Sequence, residues 1–214
     1  MSKLVRGRSM VKMVGMLSVV AALVGIMLTV PVTETNAANI VVNGGFEDPQ
    51  ISGWSVYSSI PGWNATIGGI EIQNHAAGSP YEGSQHVELD AYYNSTMIQT
   101  VNTTAGQSYN LSFAYSPRPY VGKGSNGIDV FFGSTPVASL AADGGSVTSW
   151  IVYNYTVTAT ESLTDLQFVA TGVSDSYGGY IDAVSLNAVP VPPALWLLGS
   201  GLVGLVGIRR KIGN

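Results

Sequence analysis

The region between residues 38 and 188 predicts an all-β fold, an antiparallel sandwich of two sheets, on three observations. Short runs rich in Val, Ile, Tyr, Phe and Thr recur along it, clusters of Gly, Asn, Ser and Pro separate them, and no stretch carries a helical period. The runs fall at 39–42, 54–58, 70–73, 86–89, 97–101, 109–115, 128–132, 137–140, 150–158, 166–171 and 180–187. Two show the alternation of a half-buried strand. Tyr109, Leu111, Phe113 and Tyr115 fall on one face, as do Ile151, Tyr153, Tyr155 and Val157. Short strands between frequent turns read as a jelly roll. About 150 residues suit one domain with a sizeable core.

The opening run ends in Asn43-Gly44-Gly45, which favours a tight turn with positive φ, after which Phe46 enters the core and Glu47 points to the rim. In the last run Asp182 is a carboxylate among apolar neighbours, a position that calls for hydrogen-bond partners or a cation. Trp54, Trp63 and Trp150 read as core or rim packing. Three loops carry tyrosines that the alternation does not bury: Tyr92 and Tyr93, then Tyr120 beside Arg118, then Tyr177 before a pair of glycines. An aromatic platform with polar groups beside it suits the apolar C–H faces and hydroxyls of a sugar.

Charge narrows the partners. The chain holds nine Lys and Arg. Only Arg118 and Lys123 lie in the sandwich, against twelve carboxylates, for a net charge of −10. Such a surface repels phosphate backbones, which excludes nucleic acid and leaves neutral glycans and divalent cations as compatible partners. With no cysteine, disulfides, thiolate metal sites and cysteine nucleophiles are absent together. His75 and His86 sit in no catalytic motif. Glu71 and Glu88 are the one carboxylate pair that suggests a glycosidase, and an acidic domain offers such pairs by chance. The expectation is therefore a protein that is not an enzyme. Five Asn-x-Ser/Thr triplets are compatible with chance in so Asn-, Ser- and Thr-rich a domain.

Both ends are built differently. Lys3, Arg6, Arg8 and Lys12 precede an apolar run at 13–30, and Thr35-Asn36-Ala37 supplies small residues for cleavage, the anatomy of a secretory signal peptide over 1–37. An uncleaved N-terminal anchor is the rival reading. At 189–214, Pro190, Pro192 and Pro193 lead into an uncharged apolar run at 194–208 that ends in Arg209, Arg210 and Lys211. At ~1.5 Å per residue that run spans roughly 22 Å, short of the ~30 Å of hydrocarbon in a bilayer. The cations would hold their end on the cytoplasmic side. A tail that spans poorly reads as an address for transient membrane attachment, with a single-pass tail anchor as the other reading.

This three-part tail resembles the PEP-CTERM sorting signal of Gram-negative bacteria. The resemblance implies an exosortase-type processing enzyme as partner, and hosts that make exopolysaccharide. In place of the family's Pro-Glu-Pro stands Pro190-Val191-Pro192.

A second resemblance covers nearly the whole sandwich region. NIVVNGGFE at 39–47, Gly53-Trp54, IPGW at 60–63, EGSQHVELD at 82–90, GQSYNLSF at 106–113 and YIDAVSL at 180–186 occur in the order seen in galactose-binding-like jelly rolls, including carbohydrate-binding modules. The resemblance implies a structural calcium between the first and last strands, with Glu47 and Asp182 as ligands. It also implies carbohydrate binding, for which Tyr92, Tyr93, Arg118, Tyr120 and Tyr177 are the candidates. Two functions remain open. One is an exported surface or extracellular-matrix module that binds a polysaccharide; the other is a structural or adhesive protein of the envelope or biofilm with no dedicated pocket.

Overall fold

The computed structural model describes residues 38–190. The signal-peptide expectation and the tail residues Pro192, Arg209, Arg210 and Lys211 lie outside the described residues, while Pro190 is their exposed last member. Among the described residues there is no helix long and apolar enough to cross a membrane.

The described chain forms two six-stranded sheets in which every strand pairing is antiparallel. Strands follow in the order β1 (Gly53–Tyr57), β2 (Ser59–Ile60), β3 (Trp63–Ala65), β4 (Ile70–Asn74), β5 (His86–Glu88) and β6 (Thr96–Asn102). The second half adds β7 (Ser108–Ser116), β8 (Gly127–Phe132), β9 (Thr135–Leu140), β10 (Ile151–Thr158), β11 (Leu163–Thr171) and β12 (Tyr180–Ala188). One sheet has the order β1-β4-β5-β12-β7-β10 and the other β2-β3-β6-β11-β8-β9. The all-β sandwich is as expected, and its two antiparallel sheets are consistent with a jelly roll.

Side chains that alternate inward from both sheets fill the space between them. Tyr109, Leu111, Phe113 and Tyr115 of β7 are all buried, as are Ile70 and Ile72 of β4 in the same sheet, and Phe132 of β8 and Phe168 of β11 meet Tyr109 and Phe113 from the other sheet. An aromatic chain crosses the centre: Phe46 lies 5.7 Å from Trp63, Trp63 lies 6.0 Å from Phe168, and Phe168 meets Phe113 edge-on at 5.2 Å. Each such side chain contributes about 1.5–3 kcal/mol on burial, so this cluster is the main source of stability.

The expected first strand at 39–42 forms only an isolated bridge, Asn39 to Asn187. Asn39 Oδ1 accepts the backbone N–H groups of Val41 and Leu186 at 3.0 and 2.8 Å, so a side chain takes the place of ladder bonds. Further on, Pro61-Gly62 forms the bend of the short β2–β3 hairpin, with Gly62 at φ 82°.

The Asn-Gly-Gly turn differs from its expected geometry. Positive φ falls on Asn43 and Phe46 rather than on the two glycines. Gly44 is required by close approach instead: a Cβ there would lie 2.0 Å from the carbonyl oxygen of Val184, and Val184 N–H donates to Gly44 O at 2.8 Å. The opening turn thus docks on a β-bulge in β12, where the register shifts between Asp182 and Ser185 and Ala183 has φ 51°.

Candidate functional site

Alternation along β4 and β5 sends Glu71, Gln73, His86 and Glu88 to the outer face of their sheet. Register aligns them: Glu71 opposes Glu88, Gln73 opposes His86, and Tyr180 of β12 opposes Glu88 from the other side. An outer face of this kind is ordinarily solvated, yet all five side chains are buried, as is Asp182 farther along β12. Loop cover is the reason. Tyr180 Oη donates to Ala77 O at 3.2 Å, and Trp150 Nε1 donates to Ser79 O at 2.9 Å, which holds the segment between β4 and β5 over the sheet.

Under that cover the polar groups tie one another. Gln73 Nε2 donates to Glu71 Oε1 and to Glu88 Oε2, each at 2.7 Å. Glu88 also accepts from the Arg118 guanidinium, in an ion pair, and from Gly178 N–H. The guanidinium carbon sits 4.7 Å from the centre of the Tyr177 ring, so a cation–π contact orients that tyrosine. Burial raises the pKa of Glu71, against its bond from Gln73. Burial raises that of Glu88 too, opposed by Arg118 and reinforced by Glu71. His86 lies between Tyr180, at 4.4 Å, and Trp150, at 5.7 Å. Burial drives its imidazole down to about 3, so the ring is neutral at ordinary pH.

Above this layer runs a groove with two arms, both open to solvent. The larger, about 770 Å³, is lined by Tyr120, Tyr177, Asp175, Ser125, Val147 and Thr148. Trp54, Tyr92, Glu71 and Gln73 line the smaller, about 310 Å³. Arg118, Ala76 and Ala77 line both arms and form their common border. Tyr92, Tyr120, Arg118 and Tyr177, nominated from three separate loops, therefore lie along one groove. Tyr93 is exposed next to Tyr92 but lines neither arm.

The tryptophans divide. Trp63 is in the core and Trp150 packs on the outer polar layer, whereas Trp54 is 57% exposed, which corrects its assignment to packing. Its partner in register is Gln73, so β1 presents the indole on the outer face of an edge strand. Sequence reasoning missed Trp54 because its run shows no clear alternation, and missed Gln73 because nothing local marks an amide that links two carboxylates.

Glu47 and Asp182 converge on one segment, 81–85, from opposite ends of the chain. Glu47 Oε1 accepts Ser84 N–H and Gln85 N–H at 2.6 and 2.9 Å. Asp182 Oδ2 accepts Tyr81 N–H and Glu82 N–H at 2.8 and 3.1 Å, and its Oδ1 accepts Ala183 N–H at 2.7 Å. Burial pushes Asp182 up to about 7 against the pull of these donors. Calcium takes about six to eight oxygens. Here the carboxylates face N–H donors, and among the described residues no three His, Cys, Asp or Glu side chains gather where they would hold a metal ion. The donor set does not fit the expected cage.

No family model matches the chain. Among curated proteins, the multifunctional-autoprocessing repeats-in-toxin proteins of Vibrio cholerae serotype O1 and Vibrio vulnificus are similar to it, each 28% identical, over 158 and 153 residues. These alignments cover 73% and 71% of this chain but 3% of each relative, so the chain spans a very small part of their length. Among solved structures, a family 61 carbohydrate-binding module in complex with β-1,4-galactotriose is 17% identical with a TM-score of 0.48, over 72% of this chain and 100% of that one. The K1 cleaved adhesin domain of Lys-gingipain from Porphyromonas gingivalis W83 is 13% identical with a TM-score of 0.49, over 64% of this chain and 98% of that one. A family 35 carbohydrate-binding module from Paenibacillus barcinonensis is 19% identical with a TM-score of 0.40, over 64% and 98%.

Proposed function

We propose that the protein is a non-catalytic polysaccharide-binding module that is exported and sorted to the cell surface or extracellular matrix. The observation that carries the binding reading is the groove: Trp54, Tyr92, Tyr120 and Tyr177 flank it, Arg118 borders both arms, and hydroxyls of Ser125 and Thr148 stand beside the aromatics. Aromatic faces take the C–H faces of a sugar while the hydroxyl oxygens accept from its O–H groups. Glu71 and Glu88 favour binding over hydrolysis, since Gln73 ties both and Arg118 holds Glu88. Glu47 and Asp182 act as staples for the 81–85 segment rather than as calcium ligands. The charged and apolar pattern of the two chain ends supports export and processing by an exosortase-type enzyme at the membrane.

The test is isothermal titration of the full chain, kept in a non-glycosidic detergent, against a panel of soluble polysaccharides. Saturable heat with at least one glycan is expected. Changing Tyr177 or Trp54 to Ala should weaken it about tenfold or more, roughly 1.4 kcal/mol, with no loss of folding. Heat unaltered by both substitutions, or none with any glycan, overturns the reading and leaves the structural or adhesive alternative.

A further inference from the structure

The groove's electrostatics and its length specify more than an affinity for sugar, and the step rests on the binding reading above. We infer that the groove takes internal stretches of an uncharged polysaccharide, and that Glu88 and Asp175 keep acidic glycans out.

Among the described residues Arg118 is the only cation that lines the groove, and its charge is answered inside the protein. Glu88, fully buried beneath it, pairs with the guanidinium, and the Tyr177 ring covers its face. The remaining charges are negative. Glu71 lines one arm and Asp175 the other, where Asp175 accepts from Ser125 Oγ at 2.8 Å. Asp90 lies buried below, accepting the backbone N–H groups of Asp175 and Ser176 at 2.9 and 3.2 Å. Lys123 stands in the turn beside the larger arm, with Asp143 bonded to its backbone N–H at 2.8 Å. A uronate or sulfate entering this groove would meet like charge and would find no free guanidinium to pair with. A neutral sugar meets no such penalty, and its hydroxyls find acceptors.

Length follows from the same lining. Aromatics line both arms, Trp54 and Tyr92 on one and Tyr120 and Tyr177 on the other, with Arg118 bordering both. Neither arm is an enclosed cavity, so a chain has no need to terminate inside.

The experiment compares affinities of the full chain for neutral glucans, galactans and mannans, and for uronate-containing and sulfated polymers of similar length. It is run in mildly alkaline buffer so that Glu88 is ionised despite its raised pKa. Neutral polymers should bind at least tenfold tighter than acidic ones, and one- or two-sugar fragments at least tenfold weaker than chains of four or more. Glu88→Gln, which frees the Arg118 charge, should narrow the neutral-to-acidic ratio severalfold. Because substitution of the buried Glu88 puts folding at risk, the exposed Asp175→Asn serves as the second variant, with a smaller shift in the same direction. Acidic polymers that bind as tightly as neutral ones, a ratio unmoved in every folded variant, or monosaccharides that match long chains would overturn the inference while leaving glycan binding in place. Absence of heat with both classes of polymer removes the binding reading itself, and the inference with it.

Discussion

The outer faces of the two sheets follow the same alternation and end in opposite environments. On the β4–β5–β12 face, Glu71, Gln73, His86 and Glu88 are 8% exposed or less. On the β6–β11 face, Thr100 Oγ1 donates to Asp165 Oδ1 at 2.6 Å across the strands, in a pair open to solvent. Polar residues at alternate positions are thus no guarantee of a solvated face. What differs is the cover: one face lies beneath the segment between β4 and β5, which Glu47 and Asp182 fasten, and among the described residues the other has no comparable tie. A polar layer under a covering loop is rigid and partly desolvated, which is what a groove needs if a few hydroxyls and carboxylates are to discriminate among ligands.

Removal of the fastening should break the contrast most strongly. Asp182→Ala strands the N–H groups of Tyr81 and Glu82 beside a buried site, and about 3 kcal/mol of stability is expected to go, read by chemical denaturation. Glu47→Ala should cost less, about 2 kcal/mol, because Glu47 itself is only half-buried whereas Asp182 is fully buried. In either variant glycan affinity should fall with stability, since the freed segment carries Ala76 and Ala77 of the groove. The staple reading also predicts an unchanged melting temperature on chelation of calcium; a fall of several degrees would make these carboxylates metal ligands instead.

Acidity sharpens the same comparison. Asp182 is raised to about 7 in the folded state, so the fold binds its proton more tightly than the unfolded chain does. That contribution to stability is full below the ordinary aspartate range and is lost as pH rises through about 7. His86 has the opposite sign. Its pKa of about 3 means that the unfolded imidazole protonates first, so stability is lost as pH falls below the ordinary histidine range. Asp182→Asn should lessen the neutral-side decline, to which Glu88, raised to about 8, adds with the same sign, and leave the acid-side one in place, as followed by melting temperature across pH. The smallest effect belongs to the uncovered face, where Asp165→Ala should change stability by no more than about 0.5 kcal/mol. A larger loss there would mean that the two faces are not different in kind.

Legibility in the sequence tracks how local each feature is. Tyr109 to Tyr115 alternate in the sequence because β7, paired on both sides by β12 and the edge strand β10, has the core on one side, and that pattern identifies the strand unaided. At 39–42 the apolar run looked like a strand, but Asn39 bonds across to Leu186, 147 residues away, and no local pattern reports such a partner. The tyrosines of the groove were visible as unburied aromatics in loops, whereas Trp54 was not, since only the register of β1 on β4 fixes the face it presents. Glu71 and Glu88 stood out as a pair; that they oppose each other and share the amide of Gln73 depends on β4 meeting β5.

By itself the sequence determined the class of the fold, the excess of acidic over basic residues, and the unburied loop tyrosines, because periodicity, charge and composition are additive properties of the chain. Only the tertiary structure decided which outer face is covered, that Glu47 and Asp182 fasten one loop, and that Arg118 spends its charge on Glu88. Those outcomes depend on contacts between residues 30 to more than 100 positions apart, such as the 101 separating Tyr81 from Asp182, and on register, where a one-residue slip sends every side chain to the opposite face.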